Sequence, residues 1–175
     1  MTELASFIAV SAILPCCMAY AIYSDLGRLE IPNWASIAPA LAYLPAALLS
    51  DQSMLIIGAH YAIGVAVFIV GAILFALKIM GGGDVKLLGA AAIWTGWELL
   101  PPFLLLVAIF GGLLSILALI LRRRFFKFLY RYLPWTDPDQ PASVPYGLAI
   151  GSASIFLFPK IPGVAAAWDN LASAL

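Results

Sequence analysis

An all-α fold, a polytopic membrane protein of six transmembrane helices, is what this chain predicts, and three observations carry the prediction. Of 175 residues, 64% are hydrophobic and only 10% charged, with a mean hydropathy of +1.04. A soluble domain would carry about 25% charged residues, and so much apolar surface cannot be hidden in one small water-soluble core. The apolar residues also fall in long runs separated by short polar, glycine or proline breaks. Finally, the basic residues segregate by loop. Net charge is zero, and no nucleic-acid partner is expected.

The spans follow in order. The first covers roughly 4–23, before a polar loop over 24–33. The second runs roughly 34–50 and ends at Asp51-Gln52-Ser53. The third, roughly 54–79, is the longest and ends at a glycine run. The fourth is short, roughly 85–100, with Trp94, Trp97 and Glu98; Pro101-Pro102 open the fifth, which continues to Leu121. A basic, aromatic segment over 122–143 precedes the sixth, roughly 144–158, and a weakly amphipathic tail. At 1.5 Å per residue the fourth and sixth reach only about 24 Å, short of a hydrocarbon core about 30 Å thick. Packing within the bundle or local thinning accommodates short spans.

Six spans place Arg28, Lys78, Lys86, Arg122, Arg123, Arg124, Lys127 and Arg131 on one side and only Lys160 on the other. That bias puts those loops in the cytoplasm and both termini outside. The N-terminal run has Glu3 and no preceding Lys or Arg, so it is expected to stay as a helix and not to be cleaved as a signal peptide. Cys16 and Cys17 are adjacent; helical neighbours point about 100° apart, so neither a mutual disulfide nor a metal site is expected. Gly64, Gly71, Gly111, Gly112 and the pair Gly147-x-x-x-Gly151 have the spacing of close helix packing.

Two acids stand out. Asp84 follows Gly81-Gly82-Gly83, and Asp25 lies in Tyr23-Ser24-Asp25-Leu26-Gly27-Arg28. Acids at membrane depth are costly and usually functional. Alone, Asp84 reads equally well as the N-cap of a helix starting at Val85, and Asp25 as a solvated interfacial residue. Charge counting puts both on the cytoplasmic side, at the mouths of different spans. That favours a pair.

Gly81-Gly82-Gly83-Asp84 fits the G-x-G-D motif of intramembrane aspartyl proteases, and Gly81-Gly82-Gly83-Asp84-Val85-Lys86-Leu87 resembles the second catalytic motif of prepilin (type IV leader) peptidases. Asp25 with Ile31-Pro32-Asn33 resembles that family's first motif, and Val144-Pro145-Tyr146-Gly147 resembles the motif opening its final span. Three motifs in family order cover most of the chain. The resemblance implies that Asp25 and Asp84 are catalytic aspartates of a cofactor-free endopeptidase in the bacterial inner membrane. It would remove the leader from a pilin precursor at the cytoplasmic face. Two carboxylates in one site cannot both ionise and so share a proton. One then takes a proton from water while the other hydrogen-bonds the scissile carbonyl.

Larger family members carry an N-terminal cytoplasmic insertion, often with paired C-x-x-C motifs, associated with N-methylation. This chain reaches Asp25 within about one span and lacks such cysteines. It resembles the short, peptidase-only members linked to Flp or tight-adherence pili (the CpaA/TadV type), with one integral-membrane domain over 1–175 and no methyltransferase activity expected.

Supporting roles are expected around the cleft for Gly81, Gly82, Gly83, Glu30, Pro32, Asn33, Lys86, Pro145, Tyr146 and Gly147. Each also has an ordinary reading. Lys86 is equally a cytoplasmic anchor of its span, Glu30 a partner for Arg28, and Pro32, Asn33 and Pro145 turn or helix-start residues. His60 is expected to make an interhelical hydrogen bond, Glu98 to be solvated, and the run Arg122-Arg123-Arg124-Phe125-Phe126-Lys127 to contact anionic membrane lipid. Two other readings compete: an intramembrane protease of the signal-peptide-peptidase or presenilin type, and a small transporter or scaffold using the acids as ion ligands. Against the first, Ser24 precedes Asp25 where those enzymes usually have Tyr. Against the second, no internal repeat is evident.

Overall fold

In the computed structural model, residues 2–122, 128, 130, 132–139 and 144–173 are described. All the regular structure among them is helical: α1 (Thr2–Ser11), α2 (Ile13–Arg28), α3 (Trp34–Leu49), α4 (Met54–Ala76), α5 (Gly82–Leu121), α6 (Tyr146–Leu157) and α7 (Pro162–Ser173), with short 3-10 turns at Pro134–Thr136 and Phe158–Lys160. The lipid contact expected of Arg123, Arg124, Phe125, Phe126 and Lys127, and the side expected of Arg131, lie outside the described residues.

Three helical segments are long and apolar enough to cross a membrane, Leu4–Arg28, Met54–Ala76 and Gly82–Leu121; a fourth arises if α6 and α7, bent by 48°, count as one. The expected six separate spans therefore appear differently. α3 is apolar but short, and the fourth and fifth spans join in α5. Helix α1 passes into α2 at Ala12 with backbone hydrogen bonds on both sides of the joint, Ala12 N–H donating to Ile8 O and Cys16 N–H to Ala12 O. Helix α2 also runs beyond Tyr23 to Arg28. Asp25 thus stands in a last helical turn, where a polar loop was expected. A cation in that turn suits the negative end of the helix dipole.

Helix α5 has 40 residues, about 60 Å if straight, but it breaks at Gly96, with φ 56 and ψ −166. The expected boundary was Pro101-Pro102, and both prolines instead continue the second arm. The glycine decides the position because that backbone region is open essentially to Gly alone. The break frees carbonyls on the turn before it, and neighbouring side chains satisfy them. His60 Nδ1–H donates to Ile93 O at 2.7 Å, and Thr95 Oγ1–H donates to Ala92 O at 3.1 Å. The His60 ring stacks on Tyr43 with centroids 4.9 Å apart, and Tyr43 meets Trp94 edge-on. Trp94 Nε1–H is bonded to Pro39 O at 2.8 Å. The expected interhelical role of His60 is thus observed. A Cβ at position 96 would enter the His60 ring. Gly96→Ala should lose about 1–3 kcal/mol from the backbone conformation alone, read as a lower Tm in detergent. An unchanged Tm would refute this account of the break.

Helix α4 runs antiparallel to the first arm of α5: Phe75 lies by Gly82, Gly71 by Val85, Gly64 by Gly89, and His60 by Gly96. Glycines let these backbones approach. On the other flank, a Cβ on Gly151 would lie 2.7 Å from Ile22 Cγ1 and 3.1 Å from Met18 O, so α6 packs tightly on α2. Met18, Ala21, Ala35, Leu87, Trp94, Phe103 and Ile150 fill the shared core. The large apolar residues Val65, Phe68, Ile69, Val70 and Ile73 of α4 are exposed, as side chains facing lipid would be. Cys16 is exposed, Cys17 is buried, and both are free.

Candidate active site

Asp25 is 5% exposed. Its Oδ2 accepts the Gly147 backbone N–H at 2.6 Å. Gly147 stands in the first turn of α6, where N–H groups lack intrahelical partners and the dipole favours an anion. The C-terminal end of α2 is unfavourable for a carboxylate, and α6 offsets that. Leu29 then ends α2 in the left-handed region, φ 55 and ψ 32, its N–H bonded to Asp25 O. This conformation is uncommon outside Gly. Packing of Leu29 against the cluster of Leu114, Ala118 and Trp135 holds it, and it turns the chain into Ile31-Pro32-Asn33. Ser24 Oγ–H, bonded to Glu30 O at 2.7 Å, ties that loop back to α2.

Asp84 is half-buried. Helix α5 begins at Gly82 with Gly81 at the cap position, so Asp84 is in the first turn and is not the N-cap considered from the sequence. Its carboxylate folds back over Gly81, where a Cβ would lie 2.7 Å from Oδ2. Reaching back to the cap is how an acid at the third helical position behaves in a capping box. The glycine run does not use glycine's special torsions; among described glycines only Gly96 has positive φ. It uses the missing Cβ: Gly82 faces Phe75 and Gly83 faces Ile31.

The two acids come from different helices to one place. A cleft of about 440 Å³, lined by Tyr20, Ser24, Arg28, Glu30, Ile31 and Pro32 among others, contains both Asp25 and Asp84. A second, of about 810 Å³, lined by Phe75, Lys78, Ile79, Met80, Val144 and Tyr146 among others, contains both as well. Asp25, Leu29, Gly81 and Asp84 belong to both clefts and form the waist between them. Among the described residues no three His, Cys, Asp or Glu side chains are grouped to hold a metal ion.

The other expected site residues divide. Glu30 and Pro32 line the first cleft with Gly81, Gly82 and Gly83, and Tyr146 lines the second. Pro145 is buried at the cap of α6. Lys86 is not at the carboxylates: its Nζ donates to Asn33 Oδ1 at 2.8 Å, tying the start of α3 to α5. His60 and Glu98 line a separate cavity with Gly96. Sequence reasoning assigned no individual role to Leu29 or Ile31; the Ile-Pro-Asn string was the available signal for Ile31.

This is an all-helical chain of membrane-spanning character that presents a pair of carboxylates at the waist of a double cleft. Residues 12–116 match the type IV leader peptidase family, and the chain belongs to that family. Membership implies leader-peptidase activity on type IV prepilin precursors in general terms, in a membrane protein. Comparison with curated proteins and with solved structures finds no match.

Proposed function

We propose that this chain is an aspartyl endopeptidase of the bacterial inner membrane. It removes the leader from type IV prepilins, of the Flp or tight-adherence kind, at the cytoplasmic face. The observation that carries this reading is the shared waist, where Asp25 and Asp84 converge from different helices on one opening. Asp25 is held by Gly147 N–H, and Asp84 is folded over Gly81. With one proton between them, the ionised carboxylate takes a proton from water as that water attacks the scissile carbonyl. The protonated carboxylate donates a hydrogen bond to the carbonyl oxygen. The tetrahedral intermediate collapses by protonation of the leaving amine, and the new carboxylate and amine depart without a covalent enzyme adduct.

The six-span topology with both termini outside belongs to the same reading. The break at Gly96 supports it, because it divides α5 into two arms close to where the fourth and fifth spans of this topology would meet, and so does the segregation of basic residues. The decisive experiment incubates the purified chain in detergent with a pilin precursor and measures product masses. One cut at the leader junction is expected; an intact precursor would remove the proposal. A cut within the substrate's apolar segment would instead favour an intramembrane protease of the signal-peptide-peptidase type. The helical setting of Asp25 is the one observation leaning that way.

A further inference from the structure

Ile31 touches both halves of the site. A Cβ on Gly83 would lie 3.1 Å from Ile31 Cβ, and a Cβ on Gly147 would lie 2.9 Å from Ile31 Cδ1. Gly83 immediately precedes Asp84. Gly147 supplies the N–H that holds Asp25. One branched side chain is therefore wedged between the backbone segment carrying one acid and the segment gripping the other. Two residues on, Asn33 is bonded to Lys86 of α5 at 2.8 Å. Upstream, Ser24 Oγ–H is bonded to Glu30 O. The turn is thus pinned to α2 before Ile31 and to α5 after it. β-Branching leaves Ile few rotamers, which suits a rigid spacer.

We propose that Ile31 is a positioning residue that sets how Asp25 and Asp84 face one another, with the Lys86–Asn33 hydrogen bond holding its turn in place. This rests on the two acids forming the peptidase centre, but the geometric half can be tested without activity. Ile31 has no group that could give or take a proton. It acts through Gly83 and Gly147, so shortening it lets both segments relax into the vacated space. Misplacing reacting groups by about 1 Å can cost on the order of 10²-fold.

The first measurement uses an Asp25→Cys/Asp84→Cys variant with Cys16 and Cys17 replaced by Ala, treated with thiol crosslinkers of graded length. Adding Ile31→Ala should move the most efficient crosslinker to a different length, and Ile31→Val should return it towards that seen with Ile31. The second measures cleavage of a pilin precursor by chains retaining both acids. Ile31→Ala should lower kcat at least tenfold with KM within about twofold, and Ile31→Val should recover most of the loss. Lys86→Met should lower kcat in the same sense by a smaller factor. An unchanged crosslinker preference, or a rise in KM at constant kcat, overturns the proposal. If the chain bearing Ile31 cuts no pilin precursor, the peptidase reading fails while the crosslinkers still judge the spacer. Should Ile31→Ala not insert into membranes, Ile31→Leu, of equal volume and different branching, carries the same comparison.

Discussion

Asp25→Asn and Asp84→Asn should each reduce leader cleavage by at least about 10³-fold, within the range that positioned proton transfer contributes, while the chain still inserts into membranes. Asn is nearly isosteric with Asp, and its Oδ1 can accept the Gly147 N–H that Asp25 receives in the structure. The packing of α2 against α6 should therefore survive. What is lost is chemical: an amide neither takes a proton from water nor donates a carboxyl proton to a carbonyl. Under the proposed shared-proton mechanism the acids act as one unit, so the double variant should be no worse than either single one. Cleavage at an undiminished rate by either single variant ends the two-acid mechanism.

Gly147→Ala has the next largest effect. A Cβ there would lie 2.7 Å from Asp25 Oδ2, 2.9 Å from Ile31 Cδ1 and 3.1 Å from Asp25 Cβ. None of these neighbours can easily give. Asp25 is buried and hydrogen-bonded to Gly147 itself, and Ile31 is backed by Gly83. The acid must be displaced or its hydrogen bond broken, so kcat should fall by about 10²-fold. Gly112→Ala is the matched control, because a Cβ at that position of α5 would meet nothing within 4 Å. It should leave kcat unchanged and, as Ala is the better helix former by about 1 kcal/mol, should not lower Tm. Equal loss of kcat in both variants would mean that contact with Asp25 is not the cause.

Much of the site was legible because its motifs are local. Gly81-Gly82-Gly83-Asp84 and Ile31-Pro32-Asn33 are continuous strings, and the charge pattern alone implied that both acids share one side. What was not legible was the reason for each residue. Three glycines read only as cleft support, whereas the structure uses their missing Cβ atoms for approach by Asp84, Phe75 and Ile31. Lys86 read as cleft support or as a cytoplasmic anchor, and it is a donor to Asn33. These differences come from contacts distant in the chain, such as Gly147 to Asp25, that no local pattern encodes. Gly96 and Pro101-Pro102 show the same limit. Proline is the stronger breaker on paper, yet the bend follows the residue able to adopt φ 56, with His60 closing it.

Composition and residue order alone determined the helical membrane character and the family, and singled out Asp25 and Asp84 as the acids proposed for catalysis. Each of these depends on quantities summed along the chain or on short strings, which survive without knowledge of the neighbours. Tertiary structure decided where α5 bends, that Asp25 rides on a helix, and that Ile31 lies between the segments holding the acids. Those facts depend on which backbones approach within a Cβ of one another, and that is a property of packing.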